Sequence, residues 1–277
     1  MATTTKNVDP EELKEWTVVL PRRGKQRRGS LPKIRALEEQ QQKPWVPTDL
    51  ETDPERESKL MQKMQICIKK LEDSEFYCTF LNQILTPEIL TYFSRILGSE
   101  IKMQMVVYGI GSIESYEPPR LQLSLAILIK RTLNWIGDIE VFDPVLSAIE
   151  VRVLEALGCC VLSVNEQGRR EAIKPTMFFM PHCEAVLYDN LLKANWRPEL
   201  LNRMVLFGNS FERYEHHVVE FKNSVVVDSA KHVLSIRRFT NEVPIKTVSD
   251  DLYRAFHDLS WHFFNLEAQV DLQLIAL

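Results

Sequence analysis

The chain has 277 residues, 45% of them hydrophobic and 9% aromatic, enough for one large domain or one domain with an appendage. No run approaches the roughly 18 consecutive apolar residues of a membrane span, and no apolar signal core follows Met1, so a soluble intracellular protein is expected. The net charge of −4 is uneven: residues 1–35 hold nine Lys/Arg against four Asp/Glu, or +5, leaving −9 for the rest, which argues against a broad nucleic-acid-binding face.

Five cysteines (67, 78, 159, 160 and 183) show neither metal-ligand spacing nor disulfide-like density. An odd count in such a chain points to free thiols in a reducing compartment.

Trp16–Leu20 is a short apolar patch ahead of a basic cluster, Arg22, Arg23, Lys25, Arg27 and Arg28. Two readings stay open there: a nuclear-import signal or nucleic-acid-contacting arm, and a solvated disordered arm. Ser30 follows Arg-Arg-Gly, the pattern of a basophilic-kinase site. Residues 40–54 carry glutamines, three prolines and several acids and read as a linker, so 1–53 is expected to be arm and linker. Pro54 then opens a helix to about Leu71, with Leu60, Met64, Cys67, Ile68 and Leu71 on one face. Ser74–Leu85 and Pro87–Leu97 add two helices, the last begun by Pro87 and ended by Gly98. Together they make a helical layer at 54–100.

Residues 103–108 read as a first buried strand, followed by Gly109-Ile-Gly-Ser112 and a helix starting at Pro119, with Leu121, Leu125 and Leu128 on one side. Strand, glycine loop and helix form the opening unit of a Rossmann-like fold. Glu114 stands where a third glycine would be, and Glu117 adds a second charge, which disfavours a pyrophosphate. The loop is then a tight turn or a small-ligand contact. Ile139–Phe142 is the second strand, ending at Asp143-Pro144. Asp143 reads first as the N-cap of a helix from Val145 and second as a ligand for a ribose hydroxyl. That helix carries Leu146, Ile149, Val153 and Leu157 inward, and Glu150 faces either the same crevice or water. Cys159–Val164 is the third strand, with Cys159 and Cys160 as core thiols.

Thr176–Met180, between Pro175 and Pro181, is too apolar for a surface strand and is expected to be buried on both faces. A helix follows, with Val186, Leu187, Leu191 and Leu192 on one broad face. Arg203–Phe207 is the next strand, and Asn209 with Glu212 makes an N-cap and capping-box pattern. His216 and His217 are adjacent and make a poor metal pair; residues 225–238 are ambiguous. Asp250–His257 reads as helix and Ser260–Phe264 as a last strand, while the tail at 265–277 has no clear pattern.

Parallel strands of a doubly wound sheet leave by one edge. Gly109, Gly111, Ser112, Asp143, His182, Cys183, Asn209 and Ser210 are therefore candidate ligand-binding residues on one rim. Cys183 stands near a helix amino terminus, which favours a thiolate. No Ser-His-Asp or metal-ligand spacing is present, so no catalytic or metal residue is assigned.

The segments YGIGSIES (108–115), QLSLA (122–126), FDPVLS (142–147), PTMFFMPHC (175–183), LYDNLLKANW (187–196) and LFGNSFERY (206–214) occur in order. With them the chain resembles the Sensitivity to Red Light Reduced family over roughly 103–264. WTVVLPRRG (16–24) and FHDLSWHFF (256–264) resemble its plant members in particular. The resemblance implies a regulator linked to phytochrome B-dependent red-light signalling and circadian clock input, in nucleus and cytoplasm, with protein partners in that signalling. It carries over no catalytic residue. Non-plant relatives are connected with control of haem synthesis, but this sequence has no Cys-Pro dipeptide of the haem-regulatory type. The expected architecture is α/β: a Rossmann-like, doubly wound, mainly parallel sheet at 101–264 behind the helical layer. The leading function is a non-enzymatic binding module. The alternative is a Rossmann-like enzyme or a nucleotide, cofactor or haem sensor using the rim; the cofactor is left unassigned.

Overall fold

A computed structural model of the chain describes residues 44–47, 49–221, 230–246 and 250–275, so the basic cluster at 22–28 and Ser30 lie outside the described residues. Among the described residues three helices come first: α1 (Pro54–Glu72), α2 (Glu75–Ile84) and α3 (Pro87–Leu97). Asp53 and Ser74 cap the first two through their side chains, and Gly98 ends the third at φ 56°, where a side chain would be strained. The inner face of α1 is Leu60, Met64, Cys67, Ile68 and Leu71, as its periodicity requires.

The sheet and its helices then alternate: β1 (Met103–Tyr108), α4 (Glu117–Thr132), β2 (Ile136–Phe142), α5 (Ala148–Ala156), β3 (Cys159–Val161), β4 (Thr176–Met180), α6 (Ala185–Ala194), α7 (Pro198–Leu201) and β5 (Met204–Asn209). They are followed by α8 (Phe211–Phe221), α9 (Lys231–Ile236), a 3-10 turn at Arg237–Phe239, β6 (Thr240–Pro244), α10 (Asp250–Phe256) and β7 (Leu259–Phe264). The strand order is β3-β2-β1-β4-β5-β7-β6. β1 pairs in parallel with β2 and β4, β2 with β3 and β4 with β5, while β7 runs antiparallel to β5 and β6. The chain therefore reverses between β1 and β4, the switch point of a doubly wound sheet.

Both faces are covered. Met105, Val107, Met177, Phe179, Val205, Phe207, Trp261 and Phe263 pack against α1–α5 and α10. Val106, Tyr108, Phe178, Met180, Met204, Leu206 and Phe264 meet α6, α7, α9 and the tail. This is why β4 has no alternation: all five of its residues are buried. Each such side chain contributes roughly 1.5–3 kcal/mol on burial.

Several boundaries differ from the sequence reading, each for a physical reason. α4 begins at Glu117, with Pro118 and Pro119 in its first turn, and is buried continuously from Leu121 to Ile129 rather than along one side. β2 starts three residues earlier, at Ile136, where Met103 supplies its partner. β3 stops at Val161, and Cys160 is exposed, not a core thiol. Val186 is also exposed, because α6 turns Tyr188, Leu191 and Leu192 inward. β6 was not foreseen. The tail has a fixed path: Trp196 Nε1 donates to the Leu272 carbonyl at 2.8 Å, and Asn202 exchanges two hydrogen bonds with Leu266.

Within the stretch read as a linker, Trp45 packs edge-on against Phe142 at 5.3 Å and its amide donates to the Ser163 carbonyl. The β3–β4 connection is an irregular loop held by side chains. Arg170 bridges Glu140 (2.7 Å) and Glu166 (2.7 Å), and Asn195 accepts the Ala172 amide at 2.7 Å.

Candidate functional site at the strand exits

The four parallel exits after β1, β2, β4 and β5 do converge, and what joins them is their own polar groups. Gly109 and Gly111 have φ of 65° and 75°, so the loop after β1 turns where side chains rarely go. A Cβ on Gly109 would lie 2.5 Å from Cys183 Sγ, which puts the β4 exit directly against this loop.

Asp143 does not cap a helix. The N-cap of α5 is Ser147, in a complete capping box with Glu150, because the chain spends residues 144–146 in a turn before becoming helical. Asp143, 6% exposed, instead accepts the Gly111 amide at 2.8 Å and the Val145 amide at 3.0 Å. Glu150 faces the crevice and is buried. Its Oε1 accepts the Ser112 hydroxyl at 2.7 Å and the Glu114 amide at 2.9 Å, and its Oε2 accepts the Ser147 amide at 2.7 Å. Two amides of the loop that would meet a phosphate in a Rossmann unit, those of Gly111 and Glu114, are thus occupied by carboxylates. Glu114 itself turns outward to Arg56, at 2.9 Å.

At the β4 exit, His182 sits at φ 55°, unusual for a residue with a side chain. Its amide donates to Asn209 Oδ1 at 2.6 Å. Gln122 Nε2 donates to His182 Nδ1 at 3.2 Å and to the Ala255 carbonyl at 3.0 Å, so His182 Nε2 carries the hydrogen and donates to the His257 carbonyl at 3.0 Å. Burial lowers the His182 pKa, and the neighbouring His257 adds to the effect despite the carbonyl bond that opposes it. The ring is held neutral, with both nitrogens engaged. Cys183 is 7% exposed and its thiol donates to the Tyr108 carbonyl at 3.2 Å. Burial pushes that thiol far up, and the charges of Asp143 and Glu184 push the same way, so it is no thiolate nucleophile.

Asn209 is not an N-cap either. Beyond His182, its Nδ2 donates to the Cys183 carbonyl at 3.0 Å and to the Tyr214 hydroxyl at 2.9 Å, locking the β4 and β5 exits together. The Tyr188 hydroxyl accepts the Asn209 amide at 2.9 Å and donates to the Met180 carbonyl. α8 is capped from afar: the Glu242 carboxylate on β6 accepts the Phe211 amide at 3.1 Å. Ser210 stands apart from the other candidates. Its amide donates to the Asp258 carbonyl, and its hydroxyl helps to hold Glu242 ionised.

Seven of the eight candidates are therefore brought together, with Ser210 at the edge. Gln122, Glu150, Tyr188, Tyr214 and His257 complete the cluster. Of these, only Glu150 stood out by position; Gln122 lies inside QLSLA and Tyr188 inside LYDNLLKANW, but a hydrogen bond across 60 residues leaves no local signal. Among the described residues, no group of three or more His, Cys, Asp or Glu is placed to hold a metal ion, and no helix is long and apolar enough to cross a membrane.

The chain resembles known proteins across this region. The SRR1 domain model matches residues 81–263. Protein SENSITIVITY TO RED LIGHT REDUCED 1 of Arabidopsis thaliana is 54% identical over 277 residues, 100% of this chain and 99% of that one. The SRR1-like protein of Mus musculus is 31% identical over 75% of this chain and 89% of its own length. Among solved structures, the 23S rRNA methyltransferase ErmE aligns at a TM-score of 0.36 and 8% identity, over 68% of this chain and 73% of that one, too loosely to add to the fold seen in the sheet itself. With a model match over more than half its length and a relative aligned from end to end, the chain belongs to the SRR1 domain family.

Proposed function

We propose that this protein is a regulator of red-light signalling that works by binding a protein partner rather than by catalysis. The observation that carries the second half is the bonding within the rim: the Gly111 and Glu114 amides are taken by Asp143 and Glu150, His182 is neutral and doubly bonded, and the Cys183 thiol is buried and protonated. A nucleophile, a general base and a phosphate cradle are each absent from what those residues offer. The first half is supported by the full-length likeness to the Arabidopsis protein named for reduced sensitivity to red light. In its finer form the reading is phytochrome B-dependent signalling with input to the circadian clock, exercised in nucleus and cytoplasm. Arg22, Arg23, Lys25, Arg27 and Arg28 then serve as the import signal.

Expression of the chain in a plant lacking its own copy tests both halves. The wild type and Cys183→Ala should both restore the hypocotyl response to red light and clock-gene timing. No rescue by the wild type would remove the red-light assignment. Rescue by the wild type but not by folded, equally abundant Cys183→Ala would remove the binding-only reading. Replacing the five basic residues should lower nuclear accumulation of a fluorescent fusion, and an unchanged distribution counts against import.

A further inference from the structure

At the end of the sheet opposite the rim, where β1, β2 and β4 begin, lies a groove of about 740 Å³. Its walls include Ile101 and Lys102 ahead of β1, Lys130 in the last turn of α4, Asp138 and Glu140 on β2, and Lys174 ahead of β4. β1 and β4 are parallel neighbours with Gln104 opposite Thr176, and the Gln104 amide donates to the Pro175 carbonyl at 3.0 Å. The two segments that enter these strands therefore run side by side. Ile101 and Ile173 each stand three residues ahead of the paired position, and Lys102 and Lys174 each stand two ahead. Ile101 is 83% exposed and Ile173 65%. A single exposed apolar side chain is ordinary, but two isoleucines matched in register beside a groove make an anchor.

The acids of the groove are largely neutralised from within. Glu140 pairs with Arg170 at 2.7 Å, and Asp138 with Lys130 at 3.3 Å. Lys102 donates to the Asn134 carbonyl and Arg203 to the Ile173 carbonyl, bonds that orient these cations without cancelling their charge. Lys174 stands exposed. Glu100 remains to offset Lys102, Lys174 and Arg203. This end therefore keeps a positive excess, although residues 36–277 sum to −9.

We propose that this end of the sheet is the docking surface for the protein partner, and that the docking segment of the partner is both acidic and apolar. Its carboxylates meet Lys102, Lys174 and Arg203, while an aliphatic or aromatic side chain covers Ile101 and Ile173. The inference rests on the reading of the protein as a partner-binding regulator, and it gives that partner a surface and a chemistry. Apolar contact at the centre supplies affinity, and the cations around it steer and select the partner.

The test is rescue by the full chain of a plant lacking its own copy, with every variant first matched to the wild type in Tm and abundance. Ile101→Asp/Ile173→Asp and Lys102→Glu/Lys174→Glu should each reduce the hypocotyl response to red light at least fivefold. Ile66→Asp/Val186→Asp, at exposed apolar positions on α1 and α6, should rescue as the wild type does. A benzophenone crosslinker placed at Ser99 should join a protein segment rich in Asp and Glu, and the joining should be lost in Lys102→Glu/Lys174→Glu. Full rescue by both groove variants would overturn the docking surface and leave the red-light role standing, since the wild type alone decides that role. Loss with the aspartates but not with the glutamates, or a basic crosslinked segment, would overturn the acidic partner. Sedimentation of the wild type, but of neither groove variant, with phosphatidylserine vesicles would put an anionic membrane in the partner's place.

Discussion

Asp143 Oδ2 accepts the Gly111 amide at 2.8 Å, so the residue that ends β2 closes the glycine loop that follows β1. The second oxygen takes the Val145 amide, and both bonds are charge-assisted. Hydrogen bonds to a charged group are worth roughly 1.5–3 kcal/mol net. Asp143→Ala should therefore cost about 2–4 kcal/mol in urea unfolding, and Asp143→Asn about half of that, since the amide keeps one good acceptor. A loss below about 0.5 kcal/mol for the alanine variant would mean that the bonds are solvent-competed and the rim is loose.

Close packing at the same rim gives a coupled prediction. Gly109 has no room for a methyl group, because Cys183 Sγ would be 2.5 Å away, and its φ of 65° adds backbone strain. Gly109→Ala should destabilise by about 2–4 kcal/mol through overpacking and strain together. Cys183→Ala should recover the steric share but not the strain, so the two changes should be non-additive by about 1 kcal/mol or more. Additive effects in a double-mutant cycle would separate the two residues.

Thiol chemistry should divide the cysteines sharply. Cys78 and Cys160 are exposed, while Cys67, Cys159 and Cys183 are buried. Burial raises the Cys159 thiol to about 11 and Cys183 further still. At pH 8 the native protein should alkylate at two sites within minutes and at five only after denaturation, read by intact mass. Early labelling of Cys183 would show an open rim and an accessible nucleophile.

Acid stability should report on Glu242. Burial alone would raise this carboxyl; the His262 ring and the Ser210 and Ser260 hydroxyls outweigh it and hold it at about 2, against an ordinary 4.5. A depressed folded pKa gives stability that is fully present above the unfolded value and is lost as pH falls toward the folded one. Unfolding free energy should decline between about pH 5 and pH 2, and Glu242→Gln should flatten that slope while lowering stability at neutral pH. An unchanged slope would show that other carboxylates govern the acid limb.

The sheet could be read from the chain because its strands are buried on both faces and so appear as unbroken apolar runs, Thr176–Met180 above all. β6 could not: it is short, polar and ends in Pro244, as an edge strand does, and its register comes from β7 rather than from any pattern of its own. At the site, Asp143-Pro144 and Ser147-x-x-Glu150 are both local helix-start signals only four residues apart. Which one caps α5 is decided by Gly111, 32 residues away, which claims Asp143. Asn209 was misassigned for the same reason, since His182 takes the oxygen that a capping residue would have turned on its own helix.

The measurement that bears most directly on the closed rim is a thermal-shift titration of the full-length protein with S-adenosylmethionine, ATP, NAD and haem, beside Asp143→Asn and His182→Asn variants shown to be folded. No change in Tm is expected with any of them, because Asp143, Glu150, His182, Cys183 and Asn209 spend their polar groups on one another's loops. A ligand at a hundred times its Kd adds about 2.7 kcal/mol to native stability, a rise of several degrees. Such a rise in the wild type, lost in both variants, would contradict the account and make the rim a cofactor site.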